Sequence, residues 1–133
     1  MSLYLLDTDT VSRALRGTVL DERLAALAQS DWCVSAVTRA ELRYGVARRP
    51  DATRLARLVD GFLRTARCVP WDAAAADRHG ALRAELHVAG ATLGAYDEMI
   101  AAHALSLDAV LVTGNRRHFE RVSGLAIEDW ITR

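Results

Sequence analysis

Near its start the chain reads Leu3-Tyr4-Leu5-Leu6, followed at once by Asp7-Thr8-Asp9-Thr10, and this stretch decides the fold. An unbroken apolar run of this kind is typical of a strand buried on both faces of a sheet, not of a strand with one face in water. The polar residues that follow are suited to cap a helix, which runs from Val11 to Leu15 and is ended by Gly17. The chain therefore begins with a strand, a turn and a helix.

The same alternation continues along the rest of the chain. Short apolar runs are separated by stretches in which apolar residues recur with helical spacing. Alternating strands and helices predict an α/β sandwich with a mostly parallel sheet flanked by helices. Strands are predicted at residues 3–6, 32–35, 68–69 and 109–112, and a last strand includes Ile127. Helices are predicted at residues 11–15, 20–27, 37–47, 72–90 and 96–107, and one more helix begins at Pro50-Asp51.

The length and composition are those of a single globular domain. The chain has 133 residues, so we expect one domain over residues 1–133. Hydrophobic residues make up 51% and charged residues 26% of the chain. No stretch reaches the roughly 18 unbroken apolar residues of a membrane helix, and the first residues lack a basic leader and a cleavage site. We therefore expect a cytoplasmic protein without a membrane segment.

The cationic residues exclude several classes of enzyme, because all 17 of them are arginines. Enzymes that need a phosphate-loop lysine, a Schiff-base lysine or the lysine of phosphoaspartate chemistry are ruled out. Arginine is well suited to bind phosphate, since its planar guanidinium donates to two oxygens at once. The formal net charge is zero, so any contact with RNA must come from a local patch.

The cysteines, histidines and tryptophans suggest structural roles. Neither the cysteines nor the histidines have the spacing of a zinc or redox motif. We therefore expect the two cysteines to be buried thiols and the histidines to be structural or exposed side chains. We expect the tryptophans to lie in the core. These residues are Cys33, Cys68, His79, His87, His103, His118, Trp32, Trp71 and Trp130.

Polar residues directly follow two of the predicted strands, namely Asp7 and the segment Thr113-Gly114-Asn115. In an open α/β sheet, ligands collect at the carboxyl ends of the strands, where loops and helix starts converge. Taken alone, Asp7 is equally consistent with a plain helix cap. Acids elsewhere in the chain favour a role for Asp7 in a ligand-binding site.

Two further acids lie on predicted helices. Glu41 shares a helix face with Val37 and Tyr44, where a carboxylate is costly to desolvate unless a metal or an arginine is its partner. Asp97 lies in the first turn of its helix beside an apolar stripe, where it either joins a site or only complements the helix dipole. Glu98 is rotated further toward solvent and is predicted to be a surface residue.

The three acids predict a metal site if they converge. Carboxylates about 4 Å apart repel each other by on the order of 4 kcal/mol at an effective dielectric of about 20. A cluster of Asp7, Glu41 and Asp97 therefore needs a cation, and ligation by oxygen alone favours Mg²⁺ or Mn²⁺. A hydrated divalent ion held by carboxylates suits the hydrolysis of phosphodiester bonds.

Four segments of the chain also carry a family resemblance. They read Leu5-Leu6-Asp7-Thr8-Asp9, Thr38-Arg39-Ala40-Glu41-Leu42-Arg43-Tyr44-Gly45, Asp97-Glu98-Met99-Ile100-Ala101-Ala102-His103-Ala104, and Leu111-Val112-Thr113-Gly114-Asn115-Arg116-Arg117-His118-Phe119-Glu120-Arg121-Val122, the last continuing to Trp130. Together they resemble the motifs of PIN-domain ribonucleases, in particular the VapC toxins of bacterial toxin–antitoxin pairs. No single motif is specific, but four in this order and spacing are, and they span nearly the whole chain.

The resemblance implies a PIN-like α/β/α sandwich whose acids hold Mg²⁺, with Mn²⁺ as a substitute. The metal-site acids would be Asp7, Glu41 and Asp97. The implied activity is endonucleolytic cleavage of single-stranded or loop RNA, such as tRNA or another structured RNA with exposed loops. The resemblance also implies a homodimer, and neutralisation by a cognate VapB-type antitoxin whose C-terminal segment occupies the active-site groove.

The chain departs from the family pattern at one position. Many PIN domains carry a fourth acid just after the Thr that ends the fourth strand, whereas this chain has Asn115, whose amide oxygen is a weaker candidate ligand. This puts a permanent second metal in doubt. Glu120 is the other candidate for the fourth position, unless it is only a surface charge.

Residues near the acids in the sequence are candidates to orient the acids or to bind RNA. Thr8, Asp9 and Thr113 adjoin the acids and are candidates to orient them, or simply to cap helices. Arg116 and Arg117 are candidates to position the RNA backbone, unless they belong to a solvated basic loop.

Two other functions fit parts of the pattern. Asp7-Thr8-Asp9 after an apolar strand also suits a phosphatase of the haloacid dehalogenase type, but that chemistry generally needs a lysine, and none exists here. The second alternative is a catalytically weak PIN-like module that binds RNA or a protein, for which Asn115 in place of an acid would be the sign.

Overall fold

The computed structural model describes residues 2–17 and 20–131. The expected domain limits at residues 1 and 133 lie outside the described residues. None of the helices in the described ranges has the length and apolar character needed to span a bilayer.

A five-stranded sheet forms the centre of the fold, in the order β3-β2-β1-β4-β5. All four strand pairings are parallel, which confirms the predicted sheet, and Leu5 pairs with Cys33 on one side and Leu111 on the other. All five predicted strands are present. Their bounds are β1 Tyr4–Leu6, β2 Trp32–Ser35, β3 Cys68–Val69, β4 Val110–Val112 and β5 Ile127–Glu128.

Helices connect the strands. They are α1 Thr8–Leu15, α2 Leu20–Ala26, α3 Ala36–Ala47, α4 Thr53–Thr65, α5 Ala73–Val88, α6 Ala95–Ser106 and α7 Arg116–Phe119, with a 3₁₀ turn at Gln29–Asp31. The main differences from the prediction lie in three helices. α1 begins at Thr8, before the predicted Val11. Pro50-Asp51 forms a turn, so that α4 begins only at Thr53, and residues 116–119, for which no helix was predicted, form the short helix α7.

Both faces of the sheet are covered by helices. Successive residues of a strand point to opposite faces, and the side chains of Leu5 and Leu6 are both fully buried. Leu5 belongs to a cluster that includes Ile100 of α6, whereas Leu6 belongs to a cluster that includes Val11 of α1 and Val59 of α4. The architecture is therefore the expected α/β/α sandwich.

The positions of the tryptophans, the cysteines and His103 largely agree with the structural roles predicted for them. Trp32 and Trp130 are buried, and Trp71 packs against the core. Both cysteines are free thiols, and Cys33 is buried while Cys68 is only partly so. His103 is fully buried, with its Nδ1 2.8 Å from the Ser35 hydroxyl.

Candidate active site

The predicted acids meet in one cleft at the carboxyl end of the sheet. The cleft has a volume of about 340 Å³. Its position follows from the parallel sheet, because β1 and β4 both end there and the first turns of α1 and α6 open onto it. It is lined by Asp7, Thr8, Asp9, Ser12, Glu41, Asp97, Asn115 and Phe119.

Asp7 is both a helix cap and a buried acid of the cleft. Its Oδ1 accepts a hydrogen bond of 2.8 Å from the Thr10 amide, and its own amide donates to the Val112 carbonyl at 3.0 Å. Burial raises the pKa of the Asp7 carboxyl above its usual value, and hydrogen bonds with Thr113 and Thr10 offset part of that rise. Asp7 therefore caps α1 and also lines the cleft.

Glu41 reaches the cleft from α3 and is held there by threonines. The Thr8 hydroxyl donates to Glu41 Oε1 at 2.6 Å and lies 3.1 Å from the Thr38 hydroxyl. Because the single proton of Thr8 goes to the carboxylate, Thr38 supplies the proton of the second bond. Thr38 is fully buried, so this chain of hydroxyls fixes the position of the carboxylate.

Asp97 lies in the first turn of α6, and its partner is a histidine that the sequence did not predict. His118 Nε2 of α7 lies 3.1 Å from Asp97 Oδ2 and 2.9 Å from the carbonyl oxygen of Leu93. Both partners accept hydrogen bonds, so Nε2 carries the hydrogen. The contact ties α7 to the loop before α6 and orients the Asp97 carboxylate. In the sequence, the only sign of this contact with Asp97 is that His118 lies three residues after Asn115.

Asn115, Asp9 and Thr113 complete the surroundings of the acids. Asn115 is exposed and lines the cleft, and its backbone amide donates to Thr113 Oγ1 at 3.0 Å. Asp9 also lines the cleft, and its carboxylate forms an exposed ion pair of 3.1 Å with Arg13. Ser12 is a lining residue that the sequence analysis did not identify; it lies one helical turn after Thr8.

The electrostatics of the cleft favour a cation. Burial raises the pKa of Glu41, the hydrogen bond from Thr8 opposes the rise, and the negative charges of Asp97 and Asp7 add to it. Burial likewise raises the pKa of Asp97, opposed by His118 and increased by the charge of Asp9. Carboxyl groups with raised pKa values are unfavourable as anions, and a divalent cation would relieve this.

The donor set fits Mg²⁺ or Mn²⁺, because it consists of carboxylate and amide oxygens. In residues 2–17 and 20–131, however, no three Asp, Glu, His or Cys side chains lie close enough together to hold a metal as a preformed group. The three carboxylates nevertheless line one cleft, and the negative charges of Asp97 and Asp7 contribute to the raised pKa of Glu41. Carboxylates spread along a cleft suit Mg²⁺, which keeps several waters and is commonly held through only one or two protein carboxylates.

Other candidate residues lie away from the acids. Glu120 is exposed at the C-terminal end of α7 and does not line the cleft. Arg117 is exposed on α7, while Arg116 donates to the Ile127 carbonyl at 3.1 Å and so helps to hold β5. The prediction for Glu98 is wrong: its side chain is buried and lies 3.3 Å from His79 of α5, which provides the polar partner that burial requires.

A second cavity of about 470 Å³ adjoins the cleft between α1, α3 and α4. The two share Thr8, Ser12 and Glu41. The wall of this larger cavity is mostly apolar, with Leu55, Leu58 and Val59 among its residues, and its polar lining includes Arg16, Arg48 and Arg49. The acids therefore lie at one end of a longer groove with an apolar wall and arginine side chains.

A parallel α/β/α sandwich with acids gathered at the carboxyl end of its sheet defines the class of this protein. The chain belongs to the PIN-domain family, whose model matches residues 4–125. It is 39% identical to the tRNA(fMet)-specific endonuclease VapC of Salmonella typhimurium over 98% of this chain and 99% of that protein. It is 43% identical to the enzyme of the same name from Shigella flexneri, over 78% of this chain and 79% of the relative.

The structural comparison agrees with these relatives. The crystal structure of DNA-bound VapBC from Salmonella typhimurium superimposes with a TM-score of 0.90 at 37% sequence identity. The match covers 98% of this chain and 99% of that chain. The resemblance stated from the four sequence segments is thereby confirmed.

Proposed function

We propose that this protein is a metal-dependent endoribonuclease toxin that hydrolyses phosphodiester bonds in RNA. The observation that carries the proposal is the convergence of Asp7, Glu41 and Asp97 on one cleft, each with a raised pKa, in a chain of the PIN family. The names of its endonuclease relatives support the same reaction. We propose that this activity takes place in the cytoplasm.

The residues that would hold Mg²⁺ or Mn²⁺ are Asp7, Glu41 and Asp97, with the Asn115 amide oxygen as a neutral fourth candidate. When bound, such an ion supplies an acidified water and offsets charge on a phosphate oxygen. The protein's own contribution is positional. Thr8 and Thr38 fix Glu41, His118 fixes Asp97, and the α1 amide of Thr10 fixes Asp7.

The substrate we propose is tRNA or another structured RNA with exposed loops. Two relatives are tRNA(fMet)-specific endonucleases. The cleft is open to solvent, since Asp9, Asn115 and part of Asp97 are exposed, and a single strand could approach the acids from that side.

The partner we propose is a VapB-type antitoxin, as the VapBC complex of the relative suggests. The groove between α1, α3 and α4 supports this, because an apolar wall of Leu55, Leu58 and Val59 suits the side chains of a bound segment. The groove leads directly to Glu41. A segment seated there would therefore exclude RNA from the acids.

A cleavage assay on RNA with exposed loops tests the proposed function. Wild-type protein should cleave the RNA with Mg²⁺, lose activity in EDTA and regain it with Mn²⁺. The Asp97→Asn variant, prepared identically, should be inactive and controls for contaminating nucleases, and Asp77→Asn on the exposed surface of α5 is the matched control that should stay active. Binding of RNA without cleavage by wild-type protein would instead favour the non-catalytic PIN-like module.

A further inference from the structure

Two exposed tyrosines lie close to acids of the cleft along the helices that carry them. Large apolar side chains that are mostly exposed are rare in the described residues, and they comprise Tyr44, Tyr96 and Val88. Tyr44 is 65% exposed and lies three residues after Glu41 on α3, while Tyr96 is 57% exposed and directly precedes Asp97 on α6. Each exposed ring therefore stands within about one helical turn of a different acid.

Tyr44 is paired with an arginine that reaches into the groove. The Arg48 guanidinium carbon lies 5.7 Å from the centre of the Tyr44 ring. Arg48 also lines the larger cavity, together with Glu41, Arg16 and Arg49. An aromatic face beside a planar cation is thus placed at the edge of the groove that leads to the acids.

We propose that Tyr44, with Arg48, and Tyr96 bind unpaired bases of the RNA by stacking, each ring beside a different acid of the cleft. This rests on the proposed ribonuclease function. Unpaired RNA bases stack on aromatic rings and on guanidinium planes, and stacking tolerates different bases because each has a π-face. The arginines of the groove complement the phosphates that link such bases.

This arrangement also accounts for a preference for loops. Bases in a duplex are already stacked and paired, so the rings would reach them only after unpairing. A substrate with an unpaired base on each side of the scissile bond would occupy both rings. We therefore expect Tyr44 and Tyr96 to contribute selection for single-stranded segments, whereas the acids contribute the chemistry.

The test compares Tyr44→Leu and Tyr96→Leu with Tyr44→Phe and Tyr96→Phe, on a short single-stranded oligoribonucleotide and on the same sequence in a duplex. Each Leu variant should raise KM for the single strand about tenfold with a smaller effect on kcat, and each Phe variant should retain the wild-type KM because the ring remains. Discrimination against the duplex should fall in the Leu variants. In the inactive Asp97→Asn background, the fluorescence of a 2-aminopurine base in the oligonucleotide should be quenched on binding, and each Leu substitution should reduce the quenching.

Three results would contradict either the stacking proposal or the proposed ribonuclease function. Leu variants with wild-type KM and wild-type quenching would overturn the stacking proposal while leaving the ribonuclease intact. Leu variants that alter self-association or antitoxin binding, with KM for RNA unchanged, would assign the rings to a protein partner and also overturn it. Wild-type protein that neither binds nor cleaves RNA would show that the proposed function itself has failed.

Discussion

At the scale of single residues, Asp7 shows how one carboxylate can cap a helix and line the cleft at the same time. It caps α1 through the Thr10 amide, which helps to offset the cost of burying it at 5% exposure. The same contact keeps the carboxylate at the cleft. An acid at the end of a buried strand can thus be detected from the sequence, but whether it caps a helix, lines a site or does both depends on what else reaches that position.

Asn115 is the residue at which restoring the family's usual acid should have a measurable effect. A divalent cation attracts a carboxylate through its full charge and an amide only through its dipole, so Asn115→Asp should increase the affinity for Mg²⁺. Calorimetric titration of both proteins with Mg²⁺ in the absence of RNA measures this directly. An affinity that is unchanged or weaker would show that the Asn115 side chain does not contact the ion.

The raised pKa values of the three acids predict a pH-dependent stability. A carboxyl whose pKa is higher in the folded than in the unfolded state binds protons that the unfolded chain has lost, so its contribution to stability falls as the pH rises through the window between the two values. Mg²⁺ binds the deprotonated groups, and its stabilising effect should therefore grow over the same window. Burial is the main cause of the shift at Asp7, Glu41 and Asp97 alike.

Thermal unfolding with and without Mg²⁺, in mildly acidic and in neutral buffer, checks this pH dependence. The increase in Tm caused by Mg²⁺ should be larger at neutral pH, and Asp97→Asn should reduce the difference between the two buffers. An equal increase at both pH values would mean that these carboxyls do not bind the ion.

At the scale of elements, the strands could be predicted because each is a short apolar run, and the helices because their apolar residues recur with regular spacing. Tertiary contacts could not be predicted in the same way. The periodicity of α6 alone places Glu98 toward solvent, yet α5 covers that position and supplies His79 as a partner. The acids were found because each adjoins a recognisable element end or face, whereas His118 meets Asp97 only once α7 is packed against the loop before α6.

The contact between α7 and α6 predicts a role for His118 in positioning Asp97. His118→Leu removes the N–H that Asp97 and Leu93 share, so it should raise the Mg²⁺ concentration for half-maximal activity by about tenfold or more. His118→Gln places an amide N–H near the position of Nε2 and should restore part of the response. A metal titration of activity measures both effects.

Thermal unfolding separates this positioning role from a purely structural one. If His118→Leu lowers Tm but leaves the response to Mg²⁺ as in the wild type, the histidine only anchors α7, and the positioning role is wrong.

At the scale of the whole molecule, we predict a homodimer, and the outer face of α5 is where we expect the two copies to meet. Ala76, Gly80, Ala84 and Val88 recur every four residues along the exposed side of this helix, and Val88 is 88% exposed. Small side chains allow two helices to approach closely, and burying Val88 would remove apolar surface from water. A Cβ added at Gly80 meets nothing within 4 Å in the single chain.

Gly80→Glu should therefore dissociate the dimer without harming the fold. A glutamate is about 0.5–1 kcal/mol more favourable than glycine inside a helix, so the Tm of the monomer should not fall, while its bulk and charge would prevent close packing between copies.

Gly61→Glu on α4 is the matched control, because this exposed helical glycine also has open space around its Cβ position. Light scattering near neutral pH should give a dimer for the wild type and Gly61→Glu and a monomer for Gly80→Glu. A wild-type protein that stays monomeric at high micromolar concentration would contradict the dimer, and a Gly80→Glu protein that stays dimeric would move the interface away from α5.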